Sequence, residues 1–125
     1  MLHKDLSFLI NGLLFEVHNE IGRFASEKQV SDLIEIKLKN AKLPYERELT
    51  LAPIHVEEIP GRHRVDFLID NKIVLEIKYR KYLQREDYLQ VKRYLNTLNI
   101  ALGILVNFRD ERLHPKRILN GGGKE

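Results

Sequence analysis

The residues best suited to chemistry lie in two apolar segments near the middle of the chain, RVDFLID at 64–70 and IVLEIKY at 73–79. Each segment alternates as a β-strand does, so neighbouring side chains point to opposite faces. The alternation places Asp66 on one face of the first strand. It places Glu76 and Lys78 together on one face of the second.

The pairing of these two strands decides which side chains meet. When Ile69 pairs with Ile73 across a three-residue loop, the apolar residues of both strands share one face. Those residues are Val65, Phe67, Ile69, Ile73, Leu75 and Ile77. The same register places Asp66 directly opposite Glu76, with their Cβ atoms about 5 Å apart. A slip of one residue would turn the charged side chains into the core, so the register is well specified.

Two carboxylates this close repel each other unless a cation lies between them. Carboxylates and water are the ligands that magnesium prefers, so Asp66 and Glu76 predict a site for Mg²⁺ (or Mn²⁺). Lys78 would add an ammonium group that orients water or stabilises charge growing on a phosphate. The alternative is a solvated sheet face with a cross-strand ion pair.

A further carboxylate, Glu27, comes from a helix that begins after the N-cap Ser26 and is predicted to run to about Leu43. Its apolar stripe consists of Val30, Ile34, Leu38 and Ala41. Glu27 lies in line with that stripe, where a carboxylate is costly unless it is paired or binds a metal. The alternative is a glutamate that accepts backbone amides in the first turn of the helix.

The remaining pattern predicts the elements that position these residues. Helical spacing of apolar residues predicts helices over 4–21, ending at Gly22, and over 85–98. Strands are expected at 45–51, in the apolar run ALGILV at 101–106 and, more weakly, within 111–120. Residues 52–63 are expected to form either an irregular connection or a strand that ends in a turn. The order predicts a single α/β domain over residues 1–120, a mixed β-sheet flanked by helices, with a flexible tail at 121–125.

Charge and composition narrow the class of partner. The chain has 125 residues and no cysteine, and no apolar run is long enough to cross a membrane, so a cytoplasmic location is expected. Residues 1–60 contain seven Lys/Arg and ten Asp/Glu, whereas residues 61–125 contain fourteen and eight. A basic half suggests a nucleic-acid partner, and the alternative is a solvated basic surface. The candidate phosphate contacts are Arg80, Lys81, Arg85, Lys92 and Arg93. Phe8 and Phe15 lie opposite the apolar stripe of the first helix, so this helix is either covered on both sides or used in a homodimer contact.

The segment VDFLIDNKIVLEIKY resembles the central hairpin of the PD-(D/E)XK nuclease superfamily, with Val65 where that pattern has proline. GLLFEVHNEIG followed by Glu27, and YLQVKRYLNTLNIALGILVNF with Gln90, resemble the GxxExxY branch of that superfamily. In this chain Val30 stands at the tyrosine position of the branch, and Arg23-Phe24-Ala25 replaces its Gly/Pro-rich turn.

This resemblance implies a restriction-endonuclease-like fold and metal-dependent cleavage of phosphodiester bonds in DNA or RNA. It implies that Asp66 and Glu76 are metal ligands and that Glu27 is an auxiliary ligand. Lys78 would be the catalytic lysine, and Gln90 would contact substrate or water. A non-catalytic module on the same fold, binding nucleic acid or protein, is the alternative.

Overall fold

The computed structural model describes residues 1–51 and 63–125, so nearly all of the predicted connection at 52–63 lies outside the described residues. The elements are α1 (Lys4–Ile21), α2 (Glu27–Asn40), β1 (Tyr45–Thr50), β2 (Arg64–Ile69), β3 (Ile73–Lys78), α3 (Arg85–Leu98), β4 (Leu102–Asn107) and β5 (Lys116–Leu119). None of the helices in the described part of the chain has the length and apolar character needed to cross a membrane.

The five strands form one sheet in the order β1-β2-β3-β4-β5. The pairs β1–β2, β2–β3 and β4–β5 are antiparallel, whereas β3 and β4 are parallel. Helix α3 makes the connection that a parallel pair requires. The predicted α/β fold with a mixed sheet flanked by helices is therefore confirmed.

Helices cover both faces of the sheet. Helices α1 and α2 pack on one face, against Phe67, Ile69, Ile73, Leu75 and Ile77 of the central hairpin. Helix α3 packs on the other face, against a cluster that includes Leu68, Val74, Leu105 and Val65. The prediction for Val65 was wrong, because it belongs to the cluster beneath α3 and not to the face that carries Phe67.

The start of α2 follows the predicted signal. The Ser26 hydroxyl accepts a hydrogen bond from the Gln29 N–H at 3.1 Å, and the Gln29 side chain accepts one from the Ser26 N–H at 2.9 Å. This capping box satisfies two backbone donors that the helix itself leaves free. The helix ends at Asn40, earlier than predicted, and Lys42 then adopts a positive φ of 56°.

Helix α3 has the predicted bounds and lies very close to β4. A Cβ atom at Gly103 would lie 2.7 Å from Cγ1 of Val91 and 3.5 Å from the Leu95 side chain. The absence of a side chain at Gly103 therefore allows the helix to approach the sheet. The buried residues of this helix are Asp87, Val91, Tyr94 and Leu95.

The C-terminal residues are docked where a flexible tail was expected. The Lys124 N–H donates to the Asn99 carbonyl at 2.9 Å, and the Ala101 N–H donates to the Lys124 carbonyl at 3.2 Å. These bonds form a short parallel bridge beside the start of β4. A Cβ atom at Gly123 would collide with the Ile100 carbonyl, so the absence of a side chain there allows this contact.

Candidate active site

The hairpin of β2 and β3 has the register that the sequence predicts. Its Cα partners are Phe67–Leu75, Leu68–Val74 and Ile69–Ile73. Asp70 and Asn71 both have positive φ values, 53° and 52°, and the Lys72 N–H donates to the Ile69 carbonyl at 3.0 Å. This combination defines a type I′ turn, whose twist matches that of the strands it joins.

Beyond Phe67 and Leu75, side chains take over from the backbone ladder. The Ile77 N–H donates to Oδ2 of Asp66 at 2.8 Å. The Asp66 N–H donates to Oε1 of Glu76 at 3.3 Å. Each carboxylate thus accepts a hydrogen bond from the opposite strand, and the two acids meet as the predicted register requires.

Burial makes this pair electrostatically costly. Glu76 is 2% exposed. Burial is the main cause that raises the pKa of Glu76 well above its ordinary value, and the hydrogen bond and negative charge of Asp66 raise it further. The nearby Lys78 ammonium acts in the opposite direction. Glu76 therefore favours a proton or a bound cation over a free negative charge.

Lys78 lies beside the acids but is held from helix α3. Its Nζ donates a 2.6 Å hydrogen bond to Oε1 of Gln90. Tyr94, one helical turn after Gln90, is 2% exposed, and burial raises the pKa of its hydroxyl above the ordinary value. The α3 face that meets the site thus supplies a hydrogen-bond acceptor and a neutral phenol.

These side chains line an open cleft of about 540 Å³. Its residues are Glu27, Glu48, Arg64, Asp66, Glu76, Ile77, Lys78, Tyr79, Arg80, Gln90 and Tyr94. The structure thus brings together all five residues predicted to be catalytic. Burial raises the pKa of Tyr79 above its ordinary value, and the Tyr79 hydroxyl donates to the Glu27 carbonyl at 3.4 Å.

The predicted burial of Glu27 on the apolar stripe of α2 was wrong. Val30, Ile34 and Leu38 are buried, but Glu27 is exposed because the first turn of α2 extends past the core to the rim of the cleft. Within residues 1–51 and 63–125, no three His, Cys, Asp or Glu side chains lie close enough together to hold a metal ion. Glu27 therefore lines the cleft without joining Asp66 and Glu76 in one ligand set.

Among the predicted phosphate contacts, Arg80 lines the cleft, whereas Lys81, Arg85, Lys92 and Arg93 are exposed outside it. The buried Asn107 holds the backbone of Arg80. Its Oδ1 accepts from the Arg80 N–H at 3.0 Å, and its Nδ2 donates to the Arg80 carbonyl at 2.7 Å. The guanidinium of Arg80 lies 3.2 Å from the buried carboxylate of Asp87.

Four residues of this region are not among those predicted from the sequence: Glu48, Arg64, Tyr94 and Asn107. The spacing of Tyr94, four residues after Gln90, places both on one helix face and could have revealed it. Glu48 and Arg64 lie on β1 and β2, and their carboxylate and guanidinium are 3.7 Å apart. No local pattern signals that pair, because the strands are separated by more than ten residues.

A family model described as the PD-(D/E)XK nuclease superfamily matches residues 4–118. The chain belongs to the PD-(D/E)XK nuclease superfamily. Its mixed sheet and flanking helices accord with the restriction-endonuclease-like fold of that superfamily. Membership of the superfamily implies a nucleic-acid substrate. Nucleases of this superfamily generally use divalent metals. No curated protein and no solved structure matches this chain.

The donor set of this PD-(D/E)XK chain fits a divalent ion with few protein ligands. Asp66 and Glu76 supply two adjacent carboxylates, and the buried Glu76 needs positive charge beside it to ionise. Magnesium is commonly held by one or two carboxylates while it keeps several waters. The open cleft has room for those waters.

Proposed function

We propose that this chain is a metal-dependent nuclease that hydrolyses phosphodiester bonds in DNA or RNA. The observation that carries the proposal is the meeting of the Asp66 and Glu76 carboxylates beside Lys78 in one open cleft. We further propose that residues 1–120 form the catalytic domain and that the chain belongs to the GxxExxY branch. Gln90 and Glu27, both at the cleft, support this narrower assignment.

Asp66 and Glu76 would hold Mg²⁺ or Mn²⁺ directly, and Glu27 would contact the ion from the rim through water, as an auxiliary ligand. The bound ion would supply the positive charge that a phosphodiester needs as negative charge grows on its oxygens. Asp66 is held in place for this role by the Ile77 N–H. Glu76 is oriented by the Asp66 N–H.

Lys78 would contact a phosphate oxygen or a water in the cleft through its ammonium group. Gln90 holds that ammonium from α3, so the lysine is already oriented before substrate binds. Arg80 would bind a phosphate next to the one that is cleaved, because this residue lines the cleft. A positioned cation stabilises transition-state charge more than a mobile one does.

The test is cleavage of labelled single-stranded DNA, duplex DNA and RNA in magnesium, in manganese and in EDTA. We expect metal-dependent cleavage that falls at least about 100-fold in Glu76→Gln and in Lys78→Met. The matched controls, Glu86→Gln on α3 and Lys39→Met on α2, change exposed residues and should keep full activity. Equal activity in the site variants and the controls would disprove the proposal.

A non-catalytic module that binds nucleic acid or protein is the second candidate. It is favoured by the engagement of Lys78 with Gln90 and by the high pKa of Glu76, which a structural polar cluster would share. This candidate predicts salt-sensitive binding without turnover in any metal. It also predicts that Glu76→Gln binds nucleic acid as tightly as the wild type in magnesium.

We also propose that the chain forms a homodimer through α1. Phe8 is 81% exposed and Phe15 is 43% exposed. Phe8 also borders a groove of about 400 Å³ between α1 and α2, which includes Leu9 and Leu13. Sedimentation of the wild type and Phe8→Glu tests this contact, and a wild-type chain that sediments as a monomer at all concentrations rejects it.

A further inference from the structure

A second surface, distinct from the cleft, surrounds Phe24 in the connection between α1 and α2. The Phe24 side chain is 72% exposed. The guanidinium carbons of Arg23 and Arg109 lie 4.8 Å and 5.4 Å from the centre of its ring. Both distances are within the range of a cation–π contact. The chain thus presents an accessible aromatic ring with two cations beside it.

The loop between β3 and α3 extends this surface with a second aromatic residue. Lys81 lines the same hollow of about 370 Å³ as Arg23, Phe24 and Arg109. Its Nζ lies 5.7 Å from the ring centre of Tyr82, which is 73% exposed. We call Arg23, Phe24, Lys81, Tyr82 and Arg109 the Phe24 patch.

The hollow also contains two acids, Asp110 and Glu111, so it is not uniformly positive. Asp110 is engaged by the protein, because its Oδ1 accepts from Nδ2 of Asn107 at 3.3 Å. Three cations and two exposed rings remain on the patch. Aromatic rings combined with cations that follow a phosphate backbone are the features by which proteins bind single strands.

The Phe24 patch lies close to the cleft along two separate segments of chain. Lys81 directly follows Arg80, which lines the cleft. Phe24 precedes the cleft residue Glu27 by three positions, a separation of at most about 11 Å between Cα atoms. A strand with a phosphate in the cleft can therefore reach the patch across the surface.

We propose that the Phe24 patch binds an unpaired segment of the nucleic acid whose phosphate occupies the cleft. The choice of a single strand follows from the exposed rings, since the bases of a duplex are already stacked on each other and offer no free face. Arg23, Arg109 and Lys81 would contact the adjoining phosphates. This inference rests on the proposed function, since it names the form of substrate that the same cleft receives.

The experiment measures binding of a fluorescent oligothymidylate and of a duplex of equal length, both in EDTA so that nothing is cleaved. The variants are Phe24→Leu, which keeps an apolar side chain without a ring, and Phe24→Trp, which restores a stacking surface. Ile36→Ala is the control, because Ile36 is an exposed apolar residue on another part of the molecule. Thermal unfolding of each variant verifies the fold.

We expect Phe24→Leu to weaken single-strand binding at least about fivefold, with little change for the duplex. Phe24→Trp and Ile36→Ala should bind the single strand as the wild type does. Unchanged single-strand affinity in Phe24→Leu, or equal losses for the two probes, would overturn the inference. If the wild type shows no metal-dependent cleavage but binds single strands through Phe24, the proposed nuclease activity is contradicted and the inference about the Phe24 patch stands.

Discussion

Nζ of Lys78 and Oε1 of Gln90 lie 2.6 Å apart, so a residue of helix α3 determines where the ammonium of a strand residue points. The contact joins two elements on one side of the cleft. A lysine on a flexible stem loses less side-chain entropy on binding substrate when a neighbour has already restricted it. Gln90 is accordingly a positioning residue in the proposed reaction.

Replacing Gln90 should affect turnover more than substrate binding. We expect Gln90→Ala to lower kcat about tenfold with a small change in KM, because Lys78 loses its orientation while the phosphate contacts remain. Gln90→Glu should also have a low kcat, because an ion pair between Lys78 and the new carboxylate would hold the ammonium more firmly on α3. Steady-state kinetics in magnesium measure both effects. An unaltered kcat in both variants would show that this hydrogen bond has no role in the reaction.

Glu76 should make the metal-free protein less stable as pH rises. Above its ordinary pKa of 4.5, the folded chain retains a proton at Glu76 that the unfolded chain releases. The folded state then binds more protons, so the free energy of unfolding falls as pH increases. In EDTA at neutral pH, the free energy of unfolding of Glu76→Gln should exceed that of the wild type by on the order of 1 kcal/mol, since one pKa unit is worth about 1.4 kcal/mol.

Urea unfolding at several pH values provides the measurement for Glu76. The difference in free energy of unfolding between Glu76→Gln and the wild type should grow between about pH 5 and about pH 7, because only the wild type loses stability as Glu76 is deprotonated in the unfolded chain. Magnesium should stabilise the wild type and leave Glu76→Gln unchanged, because a ligand stabilises the state that binds it. A pH-independent difference between the two proteins would mean that Glu76 ionises as easily in the folded chain as in water.

Gly103 should tolerate no side chain while Val91 is present. We expect Gly103→Ala to lower the free energy of unfolding by about 1–3 kcal/mol, because the added methyl meets the stiff Val91 side chain. The displacement of α3 should also lower activity through Gln90. The double variant Gly103→Ala with Val91→Ala should lose less free energy of unfolding than the two single variants lose in sum. Additive losses in chemical denaturation would show that the close approach is not the cause.

Asn107 should stabilise the fold through the backbone of Arg80. Asn107→Leu removes the acceptor of the Arg80 N–H and the donor to the Arg80 carbonyl. We expect this change to lower the free energy of unfolding by about 2–3 kcal/mol. The same change should weaken binding of nucleic acid, because the loop that carries the guanidinium is released. Arg80→Ala should reproduce the weaker binding, and it should also destabilise the fold because it removes the ion-pair partner of the buried Asp87. Asn107→Leu with wild-type stability would exclude this role.

The sequence was most informative for the hairpin, because strand alternation and a short turn leave one register that buries the apolar residues. It also predicted the start of α2 and both ends of α3, where the signals are local. The burial of Glu27 could not be predicted, since the exposure of a helix end depends on where the core stops. The face of Val65 was also missed: the strand changes its packing near Asp66, where neighbouring Glu48 on β1 has a φ of 55°.

The remaining cleft residues depend on contacts between distant parts of the chain. Asn107 follows an apolar run that predicts a strand, yet its hydrogen bonds to Arg80 depend on β3 and β4 lying side by side. Arg64 and Glu48 meet because β1 pairs with β2. Tertiary pairing of this kind leaves no periodic trace in one sequence.

The hairpin register also restricts how this protein can change its length over evolution. Adding or losing one residue within β3 would reverse the facing of every later side chain in that strand, exchanging Ile77 with its charged neighbours. The exposed Asn71 and Lys72 lie at the opposite end of the hairpin from the acids, in the turn, where a change of loop length leaves the pairing of the strands intact. Length variation among descendants of this chain should therefore be confined to that turn or to segments outside the hairpin.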